Sequence, residues 1–425
     1  MTTTRTLWDR LFAIAVACLL ALVIIRPFFL PVEQGDHYVY LAEHLVRGEL
    51  SVNDIPADYS DVITWEGNKY LPFGPLPAVV AIPFLPLMDL AGTRDMVWVG
   101  LALTLVNIFL LARVLGQMGL EQDRRKWALL LFFGGTTYYA SLVVSATWYF
   151  AHLVVTTCYF LAISEALGKK RVWLVGLFIG LAGMTRLTAL FALPFFVWLM
   201  WWDSRRDKAP AAMEENQRKQ TAEGDTPQKK VQAGVLARYA LLLAGLLVPL
   251  IVLGLYNYAR FANPLESGYG FASLTYGALE QAREHGVFGL VHIPKNLFML
   301  LLQSPVPYPS IDAPVLEFPY IQPSPWGMGL IFVSPALFYA FRANIKERFV
   351  QACWLAVVFI MVPVITYYGV GWVQFGYRYG LDFIPFLLLL AAIGLGQPMS
   401  KLARVLILVG VVVNIWGAFW LSKWV

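Results

Sequence analysis

The sequence predicts an all-α polytopic membrane protein, and three observations carry that prediction. Of its 425 residues 59% are hydrophobic and only 14% charged, with a mean hydropathy of +0.62. Apolar runs of roughly 17–25 residues, long enough to cross a bilayer, recur along the whole chain. Basic residues gather in alternate connections between those runs, as the positive-inside rule requires. A soluble chain of this length would divide into two or three domains of about 100–200 residues each. Here residues 1–425 read as a single membrane bundle.

The first run, residues 11–30, follows Arg5 and Arg10 and has the outline of a signal peptide. It is too long, lacks a small-residue cleavage site and ends at Arg26 and Pro31, so it reads as an uncleaved span. Further runs follow at 97–116, 127–144, 148–165, 172–184, 187–202, 239–258, 326–341, 351–368, 381–395 and 405–421, about eleven spans in all. With the N-terminus in the cytoplasm, Arg113, Arg124–Lys126, Lys169–Arg171, Arg342–Arg348, Lys401 and Arg404 all fall inside. The host is expected to be a plasma (inner) membrane. One apolar stretch, residues 75–90, breaks the alternation and carries Pro75, Pro77, Pro83 and Pro86. It is expected to be a broken, interfacial or re-entrant helix on the outer face, packed against protein. The hairpin 172–202 turns at Thr185 and Arg186, with its tip also outward.

Residues 203–238 are polar, mixed in charge and without periodicity, which predicts a disordered cytoplasmic loop. No P-loop and no GxGxxG follows a strand, which argues against an ATP-driven pump. The net charge of +5 sits mostly in short loops and reports topology rather than nucleic-acid binding. Cys18, Cys158 and Cys353 each lie in an apolar run and offer no disulfide framework or CxxC site. Few residues follow the last run, so recognition of a substrate is expected to fall to the outer connections 32–95 and 260–325.

The stretch 31–48, PVEQGDHYVYLAEHLVRG, is the first candidate for chemistry. Asp36 stands where the first span leaves the bilayer, with Glu33 a turn before it, and Tyr40, Glu43 and Arg47 following at helical spacing. An acidic group at the water–lipid boundary suits a substrate with a lipid tail and a polar head. The plainer reading makes Asp36 an N-cap. Arg186, Arg260, Lys295 and Arg378 all face outward in this topology. Arg378, between Tyr377 and Tyr379, is preferred as a phosphate ligand because a guanidinium pairs with two phosphate oxygens at once; Arg186 is second. Each could instead snorkel from, or cap, a helix end. Asp382, four residues on, could pair with Arg378. Tyr38, Tyr40, Tyr70, Trp65 and Trp372 suit an interfacial belt. His152 suits a satisfied core position.

Four outward features then appear in order. They are Asp36 with its YxYLAxxLxxG continuation, TWEGNKYLPFGPLPAVVAIP (64–83), GLFIGLAGMTRLTALFALP (176–194), and YNYARFANPLESGY (256–269) with QFGYRYGLDFIPFLLLL (374–390). Together they resemble the GT-C fold glycosyltransferases, in the bacterial branch similar to dolichyl-phosphate-mannose–protein mannosyltransferases and lipid A aminoarabinose transferases. The resemblance implies transfer of a sugar from a polyprenyl-phosphate donor to a lipid, glycan or protein acceptor on the extracytoplasmic face. It implies Asp36 as general base, with Glu33 a weaker candidate, and Arg378, Arg186, Arg260 and Lys295 as donor-phosphate ligands. Tyr40, Tyr70, Tyr377 and Tyr379 would line the substrate. Many relatives carry a second acid after the third span that can serve a metal; residues 138–152 here contain no Asp or Glu. The transfer is therefore expected to need no cofactor, a divalent metal being possible but unsupported. A transporter or flippase of a lipid-linked substrate is the alternative from another class, but the sequence shows no internal repeat and keeps its ionisable groups at the boundary. A polymerase or ligase of pyrophosphate-linked glycans is a third reading.

Overall fold

A computed structural model describes residues 2–29, 36–56, 59–202, 227–271, 277–309 and 315–424. Glu33 lies outside the described residues. Helix α1 (Thr2–Phe29) is a long apolar rod whose only proline, Pro27, falls in the last turn. Helix α2 (His37–Val46) begins at Asp36, whose extended backbone and side-chain acceptor make it the N-cap. A hairpin follows, β1 (Ile63–Trp65) and β2 (Asn68–Tyr70). Its two loop residues, Glu66 and Gly67, have φ of +48° and +80°, the pair of left-handed residues that a tight right-twisted hairpin demands.

Helix α3 (Leu76–Ala91) is broken by a 3₁₀ turn at Ile82–Phe84. Its prolines sit at the start of each piece, where a missing N–H costs nothing. It packs on α2, as the proline spacing predicts for a broken helix held against protein.

Helices α4 (Val97–Gln117), α5 (Gln122–Gly134), α6 (Tyr138–Val144), α7 (Thr147–Leu167), α8 (Val172–Thr185) and α9 (Leu187–Trp202) build the first part of the bundle. Residues 127–144 do not form one straight span: α5 and α6 meet at a 52° bend. Gly134 and Gly135 weaken the ladder there, and Thr136 Oγ1 donates to the Phe132 carbonyl at 2.7 Å. Helix α10 (Pro227–Phe261) starts inside the segment 203–238 that the sequence predicts as a disordered loop. Residues 203–226 lie outside the described residues; 227–238 are helical, Lys, Gln, Ala, Leu and Arg being good helix formers without any need for a periodic pattern. The connection 260–325 is also more ordered than a loop. It contains α11 (Gly277–Glu284), α12 (Ile293–Leu301) and a bulged hairpin, β3 (Val306–Pro309) with β4 (Leu316–Gln322).

The predicted span 326–341 is a correction. It is a single turn, Leu330–Val333, and a 3₁₀ stretch, Pro335–Arg342. Pro335 lacks a donor and pushes Ser334 out of helical geometry, to φ −142° and ψ 56°. Helices α13 (Arg348–Thr366), α14 (Ile384–Gly394) and α15 (Lys401–Trp424) complete the chain. Among the described residues six helices, α1, α4, α7, α10, α13 and α15, are long and apolar enough to cross a membrane, and the bent pair would make seven. Helices α8, α9 and α14 are shorter apolar helices, so the eleven expected spans are not reached. The protein is a mostly helical, multi-pass membrane protein: α1 and α10 bury only 17% of their apolar windows and offer the rest to lipid.

The tightest helix pair is α8 on α10. A Cβ on Gly176 would stand 2.0 Å from the Leu242 carbonyl oxygen, and one on Gly245 would stand 2.0 Å from that of Trp173. Gly176 and Gly180 form the small-xxx-small pattern that lets membrane helices touch backbone to backbone. A second, smaller core caps one end of the bundle, where Tyr38, Leu41, Ile55, Leu71 and Ala78 pack on Phe150 and Val154 of α7. The opposite end carries the basic clusters, with Lys126 bound to Asp9 at 2.6 Å and Arg404 to Asp123 at 2.7 Å.

Candidate active site

The capped end collects the buried charge. Asp36 is 7% exposed, and its carboxylate is shared between two helix starts. One oxygen accepts the Tyr38 N–H at 2.9 Å; the other accepts the Thr147 N–H at 2.6 Å and the Thr147 hydroxyl. Asp36 thus caps α2 and ties it to the first turn of α7. The chain continues through His37. Its Nδ1 lies 2.7 Å from Thr147 Oγ1 and its Nε2 2.7 Å from the Ser60 carbonyl. A carbonyl only accepts, so Nε2 carries a proton. Tyr59, Phe73 and Trp148 wall the imidazole in.

A second cluster stands beside this one. Arg186, at the turn from α8 to α9, forms a forked ion pair with Asp382, Nε to Oδ1 at 3.0 Å and Nη2 to Oδ2 at 3.1 Å. Thr188 Oγ1 donates to the same carboxylate at 2.6 Å, and His152 Nδ1 lies 3.0 Å from Oδ1. Asp382 therefore holds Arg186 and not Arg378, as four-residue spacing had suggested. The 3₁₀ stretch Arg378–Asp382 turns the two side chains in different directions.

Arg378 is buried. Among the described residues none forms an ion pair with it. Its Nη1 donates to the Trp372 carbonyl at 3.2 Å and its Nε has no partner. Tyr149 and Tyr379 accept further bonds from it. Its guanidinium lies 5.5 Å from the Trp148 ring, 5.6 Å from Tyr149 and 5.3 Å from Tyr379. Arg186 is 5.7 Å from the same Tyr379 ring, so one tyrosine is shared by two cations. Asp61, Tyr269 and Arg378 interact electrostatically, which brings the end of the 59–61 loop and the 269–271 turn to the same place. Asp61 and Tyr269 are both exposed to solvent at this end of the bundle.

No family model matches this chain, and comparisons with curated proteins and with solved structures gave no match either. The site stands on its geometry.

The other expected site residues scatter. Arg260 sits over the Tyr256 ring at 3.9 Å and donates to the Leu71 carbonyl at 2.7 Å and to Asn257 at 2.9 Å, pinning the end of α10 to the capping layer. Lys295 is exposed and bonds the Tyr368 carbonyl at 3.0 Å. The buried Tyr377 hydroxyl donates to Asn296 at 3.2 Å, a core tie rather than a substrate contact. Tyr70 packs on Phe261 and Tyr40 on Tyr59. Of the expected set, Arg378, Arg186 and Tyr379 come together, and Asp36 reaches them only through its neighbours. Sequence reading passed over Asp61, Thr147, Trp148, Tyr149 and Tyr269. A usable signal existed for Asp61 alone: an acid just before an extended run, in a loop facing the same side as Asp36. Among the described residues no three His, Cys, Asp or Glu side chains converge as a metal site would need.

Proposed function

We propose that this protein is a GT-C-type glycosyltransferase that moves a sugar from a polyprenyl-phosphate donor to a lipid, glycan or protein acceptor at the capped, extracytoplasmic end of the bundle. One observation carries the reading. Arg378 is a buried guanidinium with an unpartnered Nε and, among the described residues, no ion pair, ringed by aromatic side chains and a short step from Arg186. A buried cation of this kind suits an anion that arrives with the ligand. The aromatic rings suit the apolar faces of a sugar, and the lipid-exposed helices around the cap suit a polyprenyl tail. The basic clusters at the other end favour the cytoplasm for that end.

The test is release of free polyprenyl phosphate by the purified protein, read by mass spectrometry over a panel of polyprenyl-phosphate sugars with a crude membrane glycolipid extract as acceptor. Turnover of one donor by wild type, lost in Arg378→Ala, is the expected result. Absence of turnover with every donor, or full turnover in Arg378→Ala, would overturn the reading. A chelator arm shows whether a divalent metal takes part.

A further inference from the structure

Asp61 takes a costly backbone shape. Its φ is +55°, a region where a side chain other than glycine costs of order 1–3 kcal/mol and which clusters at functional sites. The surroundings hold it there. His37 binds the carbonyl of Ser60, the preceding residue, and Trp148 N–H donates to the Asp61 carboxylate. The charged and titratable groups acting on it are His37, Arg378 and Tyr269, from α2, the 378–382 turn and the 269–271 turn. Asp61 is exposed to solvent. Asp36 differs on each point: it is buried, and both its oxygens are occupied by donors from Tyr38 and Thr147. Three of its acceptor sites are taken and the side chain is buried, which leaves a substrate hydroxyl little access to Asp36.

We propose that Asp61, rather than Asp36, takes the proton from the acceptor hydroxyl, and that the Asp36–Thr147–His37–Ser60 chain is a positioning device that fixes the Asp61 loop. This rests on the transferase reading above. In the step, the acceptor oxygen bonds to C1 of the sugar as its proton passes to the Asp61 carboxylate. The bond from C1 to the phosphate oxygen breaks, and its electron pair leaves with the polyprenyl phosphate, whose charge Arg378 receives. A single displacement of this kind inverts the configuration at C1. Desolvation by the surrounding protein holds the Asp61 carboxyl above the usual carboxylate range, against the opposing pull of His37 and Arg378. A base shifted in that direction is better matched to work near neutral pH.

The decisive variant is Asp61→Asn in the full-length protein. It keeps the shape, can still accept from Trp148 and tolerates the left-handed backbone. With the donor that wild type turns over, it is expected to lose about 10²–10⁴-fold in kcat, the usual share of a general base, while donor KM changes less than about threefold. Asp61→Ala is expected to recover at least tenfold of its lost rate in added formate, which a structural role would not allow. Asp36→Asn is expected to lower kcat without moving the acid limb of the pH–rate profile, since Asp61 still titrates. Wild-type turnover retained in Asp61→Asn overturns the assignment and leaves the transferase reading standing. No turnover by wild type removes both.

Discussion

Replacing Asp382 with Asn tests the buried scaffold beside Arg378. The Asp382 side chain is fully buried, that of Arg186 is 19% exposed, and the two are joined by a fork of 3.0 and 3.1 Å. Two charges about 4 Å apart interact by roughly 4 kcal/mol at an effective dielectric of about 20. Removing one member of such a pair costs about 3–5 kcal/mol, because the other is left buried and uncompensated. Asn also turns one acceptor into a donor, facing either the Arg186 guanidinium or the Thr188 hydroxyl that now bonds at 2.6 Å. The expected loss for Asp382→Asn is therefore about 3–5 kcal/mol, read as unfolding free energy by titration with SDS in mixed micelles. The double variant Asp382→Leu with Arg186→Met leaves no orphaned charge and is expected to regain at least half of that loss. An Asp382→Asn protein within about 1 kcal/mol of wild type, or a double variant weaker than both single ones, would refute the reasoning.

Other outcomes follow from the same geometry. Gly176→Val is expected to abolish the monodisperse peak in detergent size exclusion, its Cβ meeting the Leu242 carbonyl oxygen at 2.0 Å, whereas Gly254→Ala, whose nearest neighbour is 3.6 Å away, should leave the peak intact. Arg378→Lys should not rescue Arg378→Ala: a point charge replaces a planar fork, and kcat/KM is expected to stay about 10–100-fold below wild type. Asp61 must be ionised to act as base, so kcat/KM should rise with pH through an acid limb lying above the ordinary carboxylate range, and that limb should vanish in Asp61→Asn. Thr147→Val removes the hydroxyl between Asp36 and His37, and should lower kcat more than donor affinity.

What could be read from the sequence follows from how each feature is encoded. Long apolar runs are a composition signal, and six of them appear in helices long enough to cross a membrane, although α1 and α10 start well before the predicted limits. The proline-rich stretch 75–90 was legible because proline has fixed consequences. The span predicted over 326–341 failed for the same kind of reason: Pro335 outweighs the hydrophobicity around it. The bend between α5 and α6 falls at Gly134, Gly135 and Thr136, inside a run whose hydropathy alone reads as one continuous span. At the site, the arginines announced themselves as charges at span boundaries. Their partners did not. Asp382 is four residues from Arg378 yet binds Arg186, 196 positions away, because the turn is 3₁₀ rather than α-helical. Asp36 stood out because a cap before a helix has a local pattern, whereas the signal at Asp61, an acid ahead of an extended run, is weak and its left-handed backbone leaves no mark in the sequence.

The central claim is bond cleavage and transfer, as opposed to movement of an intact lipid. The most direct measurement uses proteoliposomes holding the full-length protein, a polyprenyl-phosphate sugar labelled with carbon-13 in the sugar, and membrane glycolipids. Mass spectrometry then follows the label. The account predicts label on an acceptor, matched one-to-one by free polyprenyl phosphate. Intact labelled donor crossing to the other leaflet, with no free polyprenyl phosphate formed, would contradict it.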